Sequence, residues 1–127
     1  MIVAVGVDAV DIERIEQMHA RYGDRALQRL FTPAEIARAG DLAYQALHLA
    51  GRLAAKEAAY KALSGNDDAR AIGWREIEVF SRNDGAPELR LHGRAASRFG
   101  ELRATAVHVS LTHSRATAVA VVIVERQ

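Results

Sequence analysis

The chain has 127 residues, of which 50% are hydrophobic and 26% are charged, with a formal net charge of +1 at pH 7. A chain of this size fits one domain, residues 1–127, and its near-zero charge gives no bulk electrostatic case for binding nucleic acid or a membrane surface. It contains no cysteine, which excludes disulfides, thiolate metal sites and a cysteine nucleophile.

The first predicted element is a strand over Ile2–Val7, a β-branched apolar run typical of a strand buried on both faces. The run is too short for the apolar core of a signal peptide, and no stretch approaches the ~20 apolar residues of a membrane helix. We therefore expect a cytoplasmic protein. Asp8 ends the strand. Its carboxylate either faces a ligand or caps the next helix, a role that Asp11 would fill equally well.

An amphipathic helix is predicted over Asp11–Tyr22, and a short helical segment that contains Arg25 follows it. Arg14, Met18 and Arg21 are spaced i, i+4 and i+7, so they share one face of the first helix. By itself this pattern is typical of a solvated surface that carries mixed charges.

A third helix has a strong start signal. Thr32 suits the N-cap and Pro33 suits the first helical position, and Glu35 completes a capping box with Thr32. Glu35 therefore has a sufficient structural role at the start of this helix. Gly40-Asp41 is predicted to end it.

The most informative stretch is His48–Leu63, HLAGRLAAKEAAYKAL, in which nearly every residue is a good helix former. Its bulky apolar residues form one arc and its small residues form another, so the fold should enclose most of this helix. Glu57 and Lys61 lie together between the arcs, and a second polar row is formed by His48, Arg52 and Lys56. On a solvated helix an acid four residues before a lysine is an ordinary stabilising pair, and the helix alone favours that interpretation.

The rest of the chain indicates four strands and one helix. The stretch 64–71 is the most polar and indicates a loop, and Asp84-Gly85 between two alternating runs is a hairpin signature. A helix over 93–102 and strands over 105–111 and 116–125 complete the chain. The last strand is apolar without alternation, so helices or another subunit should cover both of its faces. The predicted class is α+β, with a long central helix and shorter helices packed on a mainly antiparallel sheet.

Asp8 and Glu57 lie on separate predicted elements, and each faces the interior. Two carboxylates suit a hard divalent ion such as Mg²⁺, whose other ligands would be water and phosphate oxygens. The chain has no glycine-rich phosphate loop, so side chains would have to neutralise a bound phosphate. Four basic residues are placed to do so: Arg52, Lys56, Lys61 and His113. His108 alternates into an apolar strand and is expected in the core.

Three blocks of the sequence stand out: GVDAVDIER at 6–14, RLAAKEAAYKA at 52–62 and HVSLTH at 108–113. Together they resemble the holo-acyl-carrier-protein synthase family of 4′-phosphopantetheinyl transferases. The first looks like the family's G-x-D-x-x-x-x-x-R, the second is similar to R-[FW]-A-x-K-E-A-x-x-K-A, and the third matches H-V-S-[LI]-[ST]-H. The chain departs from the family at Leu53, where an aromatic residue is usual, and at 64–68, where many members have Gly-Thr-Gly.

The resemblance implies transfer of the 4′-phosphopantetheine arm of coenzyme A to a serine of an acyl carrier protein, with release of adenosine 3′,5′-bisphosphate. By position, Asp8 and Glu57 would hold Mg²⁺ against the coenzyme A diphosphate, and Lys61 would stabilise the charge that develops there. Arg52 and His113 would bind coenzyme A near its 3′-phosphate. His113 is also a candidate proton acceptor for the carrier serine, and a metal-bound water is the alternative.

The resemblance also implies contacts between proteins. A basic surface that receives the acidic carrier would be formed by Arg14, Met18 and Arg21, together with Arg25 and Arg29. The family assembles as a homotrimer with active sites between subunits, and a last strand covered on both faces fits that arrangement. Lys56 is a further expected coenzyme A contact.

Two other functions stay open at this point. A non-catalytic module of the same fold would bind coenzyme A or a carrier without transfer, although intact Asp8, Glu57 and Lys61 argue against such decay. A Mg²⁺-dependent phosphohydrolase, which rests only on the paired acids, would release phosphate or nucleotide without any carrier.

Overall fold

The structure is a computed structural model that describes residues 1–40 and 44–127. Within these ranges the chain forms five strands and six α-helices, and a 3₁₀ turn, Trp74–Glu76, precedes the second strand. In chain order the elements are β1 (Ile2–Asp11), α1 (Ile12–Tyr22), α2 (Asp24–Leu30), α3 (Pro33–Gly40), α4 (Gln45–Leu63), α5 (Asp67–Arg70), β2 (Ile77–Ser81), β3 (Pro87–Leu91), α6 (Gly93–Glu101), β4 (Ala106–His113) and β5 (Thr117–Glu125). Every strand pair among them is antiparallel, and the predicted α+β class is confirmed. None of the described helices combines the length and the apolarity that a bilayer crossing requires.

The long helix α4 packs across one face of a three-stranded sheet whose strand order is β1-β5-β4. The contact is close because α4 presents small residues to the sheet, and Ala54, Ala55 and Ala58 are fully buried. Gly6 of β1 is the tightest point, since a Cβ added there would overlap the carbonyl oxygen of Ala58. Only glycine allows this approach, which brings the following residue on the same face, Asp8, to the side of α4.

The opposite face of the sheet is open, so β1 is not buried on both faces as predicted. Gly6 and Val10 point toward α4 and are buried, whereas Val5 and Val7 point away and are each 57% exposed. The residues of β5 likewise alternate between buried and half-buried. The reason is that α4 covers one face only, and no other described element covers the second. The two-sided cover expected for the last strand is therefore not supplied by the described part of the chain.

His108 lies on this open face and is exposed, so its expected place in the core is wrong. Val107 and Val109 pair with the buried residues of β5, and the alternation of the strand turns His108 to the other side. There its Nε2 contacts the carboxylate of Glu125.

The start signal of α3 is confirmed. The backbone N–H of Thr32 donates to Glu35 Oε1 at 2.7 Å, and the N–H of Glu35 donates to Thr32 Oγ1 at 3.2 Å. These reciprocal bonds form a capping box. The helix ends at Gly40, and Asp41, the other residue predicted to end it, lies outside the described residues.

Glu35 has a second role that its capping position did not reveal. Its Oε1 lies 2.7 Å from Nζ of Lys56, and both side chains are at most 1% exposed. The ammonium group also donates to the backbone carbonyls of Trp74 and Ile77, at 2.9 and 2.7 Å. Its three protons therefore have acceptors inside the fold. This placement contradicts the expectation that Lys56 contacts coenzyme A, because the residue joins α4 to α3 and to the start of β2.

Candidate active site

Asp8 and Glu57 meet where β1 passes α4. Asp8 lies inside the strand, opposite Ala120 of β5, on the face that α4 covers. Asp11 occupies the position before α1, and its Oδ1 accepts a hydrogen bond from Thr117 without capping the helix. Asp8 is thus free of a capping role. We call Asp8 and Glu57 the acid pair.

The two carboxyl groups of the acid pair interact, and their pKa values are shifted in opposite directions. Burial and the hydrogen bond with Asp8 raise the pKa of Glu57 to about 7. Burial alone would raise the pKa of Asp8 as well, but hydrogen bonds with Glu57 and Lys61 outweigh it and lower that pKa. Two neighbouring carboxylates resist ionising together, so the pair holds one proton at slightly acid pH and releases it near neutrality.

The acid pair fits a hard divalent cation. When both groups are ionised, the buried Oδ2 of Asp8 has no hydrogen-bond donor in the described part of the chain. A cation held by oxygen ligands would satisfy that atom and remove the repulsion between the carboxylates. The described residues include no group of three or more His, Cys, Asp or Glu side chains placed to bind a metal. The remaining ligands would therefore come from water and from a bound phosphate.

Each member of the acid pair has one cationic neighbour. Nζ of Lys61 lies 2.8 Å from Asp8 Oδ1 and also donates to the backbone carbonyl of Val7 at 3.2 Å. Nη2 of Arg14 lies 3.0 Å from Glu57 Oε1. The Lys61 contact brings together three residues of the predicted site. The Arg14 contact was not predicted, because sequence spacing placed this residue only on the helix face with Met18.

Arg52 and His113 line a second feature, a cavity of about 430 Å³ beside the N-terminal half of α4. We call it the α4 cavity. Arg52 is only 7% exposed, and its Nη2 donates to the hydroxyl of Ser81 at 2.5 Å. The described lining includes this arginine and two histidines, His48 and His113, but no acidic side chain. Such a lining favours an anion.

The acid pair and the α4 cavity are separate places on one chain. The lining of the cavity does not include Asp8, Glu57 or Lys61. The two groups lie on different stretches of α4, and the alternation of β4 and β5 brings His113 beside Ala118 at the cavity rather than beside Asp8. A helix pattern alone cannot show this separation, because Arg52, Glu57 and Lys61 all belong to one helix.

The predicted basic surface is largely assembled. Met18, Arg21, Arg25 and Arg29 line a groove of about 550 Å³ formed by α1 and α2. We call it the basic groove. Arg14, the other residue predicted for this surface, is instead hydrogen bonded to Glu57 of the acid pair. Helix α1 therefore contributes both to the basic groove, through Met18 and Arg21, and to the acid pair, through Arg14.

The sequence reasoning missed two features of the site. It noted His48 on the polar row of α4 without giving it a role, and the structure places it in the wall of the α4 cavity. It also missed the contact between Arg14 and Glu57, for which the spacing within the first sequence block gave no signal.

Comparison with known proteins gives a consistent result. Residues 4–121 match the model of the 4′-phosphopantetheinyl transferase superfamily. A holo-[acyl-carrier-protein] synthase of Nitratidesulfovibrio vulgaris is 50% identical over 98% of this chain and 99% of its own length. One from Methylobacterium is 45% identical over 98% of this chain and 95% of its own.

Solved structures agree in fold. The holo-[acyl-carrier-protein] synthase of Neisseria meningitidis superposes with a TM-score of 0.87 at 26% identity, covering 99% of this chain and all of that one. That of Helicobacter pylori, solved in complex with coenzyme A, gives 0.80 at 28% identity over 95% of this chain and 99% of that one. Because the family model matches residues 4–121 and a curated relative is 50% identical over nearly the whole length of both chains, the chain belongs to the holo-acyl-carrier-protein synthase family of the 4′-phosphopantetheinyl transferase superfamily.

Proposed function

We propose that the protein transfers the 4′-phosphopantetheine arm of coenzyme A to a serine of an apo-acyl carrier protein in fatty acid biosynthesis. The observation that carries the proposal is the arrangement of Asp8, Glu57 and Lys61, in contact where β1 meets α4, in a chain 50% identical to a holo-[acyl-carrier-protein] synthase. A relative of the same fold binds coenzyme A. In this proposal residues 1–127 act as one domain.

The acid pair would hold Mg²⁺ through the oxygens of Asp8 and Glu57. When bound, the ion would neutralise charge on the coenzyme A diphosphate and hold it in place. Lys61 would donate to a diphosphate oxygen, since half of its side chain is exposed beside Asp8. Its charge would stabilise the negative charge that grows on the leaving adenosine 3′,5′-bisphosphate.

The reaction itself is a substitution at phosphorus. The serine oxygen of the carrier forms a bond to the phosphorus next to the pantetheine, and the bond from that phosphorus to the bridging oxygen breaks. The serine proton passes to a base, for which His113 is the candidate in this chain. Arg52 and His113 would also hold the 3′-phosphate, because they line a cavity whose described walls carry no acidic residue.

We propose a homotrimer in which each active site lies between subunits. Two observations support it. The part of the open face that β1 forms is apolar, with Val5 and Val7 each 57% exposed, and such a patch is typical of an interface. The acid pair and the α4 cavity are separate on one chain, although one coenzyme A molecule would need both. Contact between subunits would bring the acid pair of one to the cavity of the next.

The basic groove is the proposed site for the carrier. Arg21, Arg25 and Arg29 surround Met18, which supplies an apolar contact among three positive charges. Arg14 lies between this groove and the acid pair, with its side chain 54% exposed. An acidic carrier helix bound in the groove would therefore bring its serine toward Glu57.

The proposal is tested by mass spectrometry of an apo-carrier incubated with coenzyme A, Mg²⁺ and this protein. The carrier should gain the mass of one phosphopantetheine arm, and Asp8→Asn and Glu57→Gln should abolish the gain. Glu13→Gln, an exposed change on α1, is the matched control and should transfer normally. Binding of coenzyme A without a mass gain would indicate a binding module instead. Release of nucleotide without a carrier would indicate a phosphohydrolase.

A further inference from the structure

His48 is a polar residue of α4 for which the proposed transfer assigns no role. It lies four residues before Arg52, and its side chain lines the α4 cavity together with Arg52 and His113. Its Nε2 is buried and has no hydrogen-bond partner in the described part of the chain. The other buried side-chain atom in that condition is Oδ2 of Asp8. Both atoms lie where the proposed function places a part of coenzyme A.

A buried nitrogen without a hydrogen-bond partner destabilises the fold, because it has lost its contact with water and gained none in return. An apolar side chain at position 48 would avoid this loss. The neighbouring buried positions of α4 carry no unsatisfied polar atom of this kind, because Leu49, Ala50 and Leu53 have apolar side chains. An unsatisfied polar atom in the wall of a cavity is best explained by a ligand that completes it.

The charges around His48 define what that ligand is. Burial, then Arg52 of α4 and Arg38 of α3, lower the pKa of His48 to about 4. Besides His48 and Arg52, the described lining contains two titratable side chains, His113 of β4 and the exposed Tyr44. At neutral pH the imidazole of His48 is therefore uncharged, and the positive charge of the cavity comes from Arg52.

A neutral imidazole can donate a hydrogen bond from one nitrogen and accept one at the other. The guanidinium of Arg52 attracts an anion, and the hydroxyl of Ser81 is its neutral partner at 2.5 Å. An anionic oxygen bound beside Arg52 would accept a hydrogen bond from Nε2 of His48. Among the groups of coenzyme A, the 3′-phosphate has the charge and the oxygens for this position.

We propose that His48 is a specificity-determining residue for coenzyme A, which donates a hydrogen bond through Nε2 to the 3′-phosphate in the α4 cavity. The inference rests on the proposed function, which places that end of coenzyme A near Arg52 and His113. It adds that His48 distinguishes coenzyme A from 3′-dephospho-coenzyme A. Because His48 is remote from the acid pair along α4, it acts on binding and leaves the transfer step itself to other residues.

The test compares four proteins by calorimetric titration with coenzyme A and with 3′-dephospho-coenzyme A. They are the wild type, His48→Phe, His48→Gln and the control His92→Phe, which removes a half-exposed histidine that contacts Glu78 outside the cavity. His48→Phe should weaken coenzyme A binding about tenfold, the loss of one hydrogen bond to a charged group. It should leave the binding of the dephospho compound unchanged. His48→Gln, which keeps an N–H donor, should retain most of the preference, and His92→Phe should retain all of it.

Transfer assays and unfolding curves complete the test. At saturating coenzyme A, His48→Phe should keep the wild-type kcat, and its thermal stability should be at least that of the wild type. Equal weakening of both compounds, no weakening, or a glutamine variant as weak as the phenylalanine variant would overturn the role of His48. A wild type that transfers the arm but binds both compounds equally would overturn it too, and would leave the proposed function standing. A wild type that binds no coenzyme A would overturn the proposed function.

Discussion

The two acidic residues beside Lys61 combine burial, a shared proton and opposite pKa shifts. Glu57 has a pKa of about 7, above its ordinary value of 4.5. A raised pKa in the folded state means that the metal-free fold binds this proton more tightly than the unfolded chain does. The stability gained from it is complete below pH 4.5 and is lost as the pH rises through 7. In the ionised pair the two carboxylates therefore repel each other, and a bound cation would relieve that repulsion.

This linkage predicts that Glu57→Gln stabilises the metal-free protein at pH 8 relative to pH 5. The neutral amide cannot repel Asp8, so the variant should gain about 1 kcal/mol over the wild type between the two pH values. Denaturant unfolding in the presence of a chelator measures the difference. Glu13→Gln, on the exposed face of α1, should show no such gain. Parallel stability curves for wild type and Glu57→Gln would contradict the prediction.

Arg14 competes for the same carboxylate. Its Nη2 lies 3.0 Å from Glu57 Oε1 in a half-exposed pair, so its charge opposes a cation at the acid pair. We predict that Arg14→Ala binds Mg²⁺ about threefold more tightly than the wild type, a value kept small because solvent screens the guanidinium. Calorimetric titration with Mg²⁺ alone measures it. Arg21→Ala removes an equal charge from the basic groove and is the control. Equal affinities in the two variants would show that Arg14 does not restrict the acid pair.

At the scale of elements, the approach of β1 to α4 decides where the acid pair forms. A Cβ at Gly6 would overlap the carbonyl oxygen of Ala58, so the strand and helix must separate to accept one. We predict that Gly6→Ala lowers the free energy of unfolding by about 3 kcal/mol and reduces transfer, because Asp8 moves away from Glu57. Gly100→Ala is the control, since nothing lies within 4 Å of its added Cβ. Equal stability of the two variants would contradict the prediction.

The elements also show how far sequence reasoning reaches. Helix propensity and the capping box located α3 and α4, because both signals are local along the chain. The same reasoning could not tell Lys56 from Lys61, which lie five residues apart on one helix. Their difference comes from tertiary packing: α3 and β2 enclose Lys56, whereas the side chain of Lys61 is 57% exposed beside Asp8.

The exposure of one face of β1 and β5 has a similar cause. The apolar runs of β1 and β5 correctly indicated strands, but their composition cannot say whether the cover of each face belongs to the same chain. Val7 is exposed because the described helices lie on one side of the sheet. The exposure of His108 has the same origin, since a shift of one residue along a strand moves a side chain to the opposite face of the sheet.

At the scale of the whole molecule, the open sheet face predicts association. Val7→Lys places a charge on the exposed apolar part of that face, on the edge strand β1, and should convert a trimer into monomers, because a buried unpaired ammonium opposes contact. Sedimentation equilibrium measures the mass of each species. Asn83→Lys adds the same charge to the exposed hairpin turn and should leave the assembly intact. A wild type that sediments as a monomer at all concentrations would contradict the proposed trimer.

The distance between the acid pair and the α4 cavity on one polypeptide has a genetic consequence. If neighbouring copies each supply half of a functional centre, two inactive variants should rescue one another when mixed. Glu57→Gln lacks a working acid pair and His113→Ala lacks a working cavity, yet random co-assembly in equal amounts gives about one centre in four with both halves intact. Co-refolded mixtures should therefore recover about a quarter of the wild-type rate, while either variant refolded alone stays inactive.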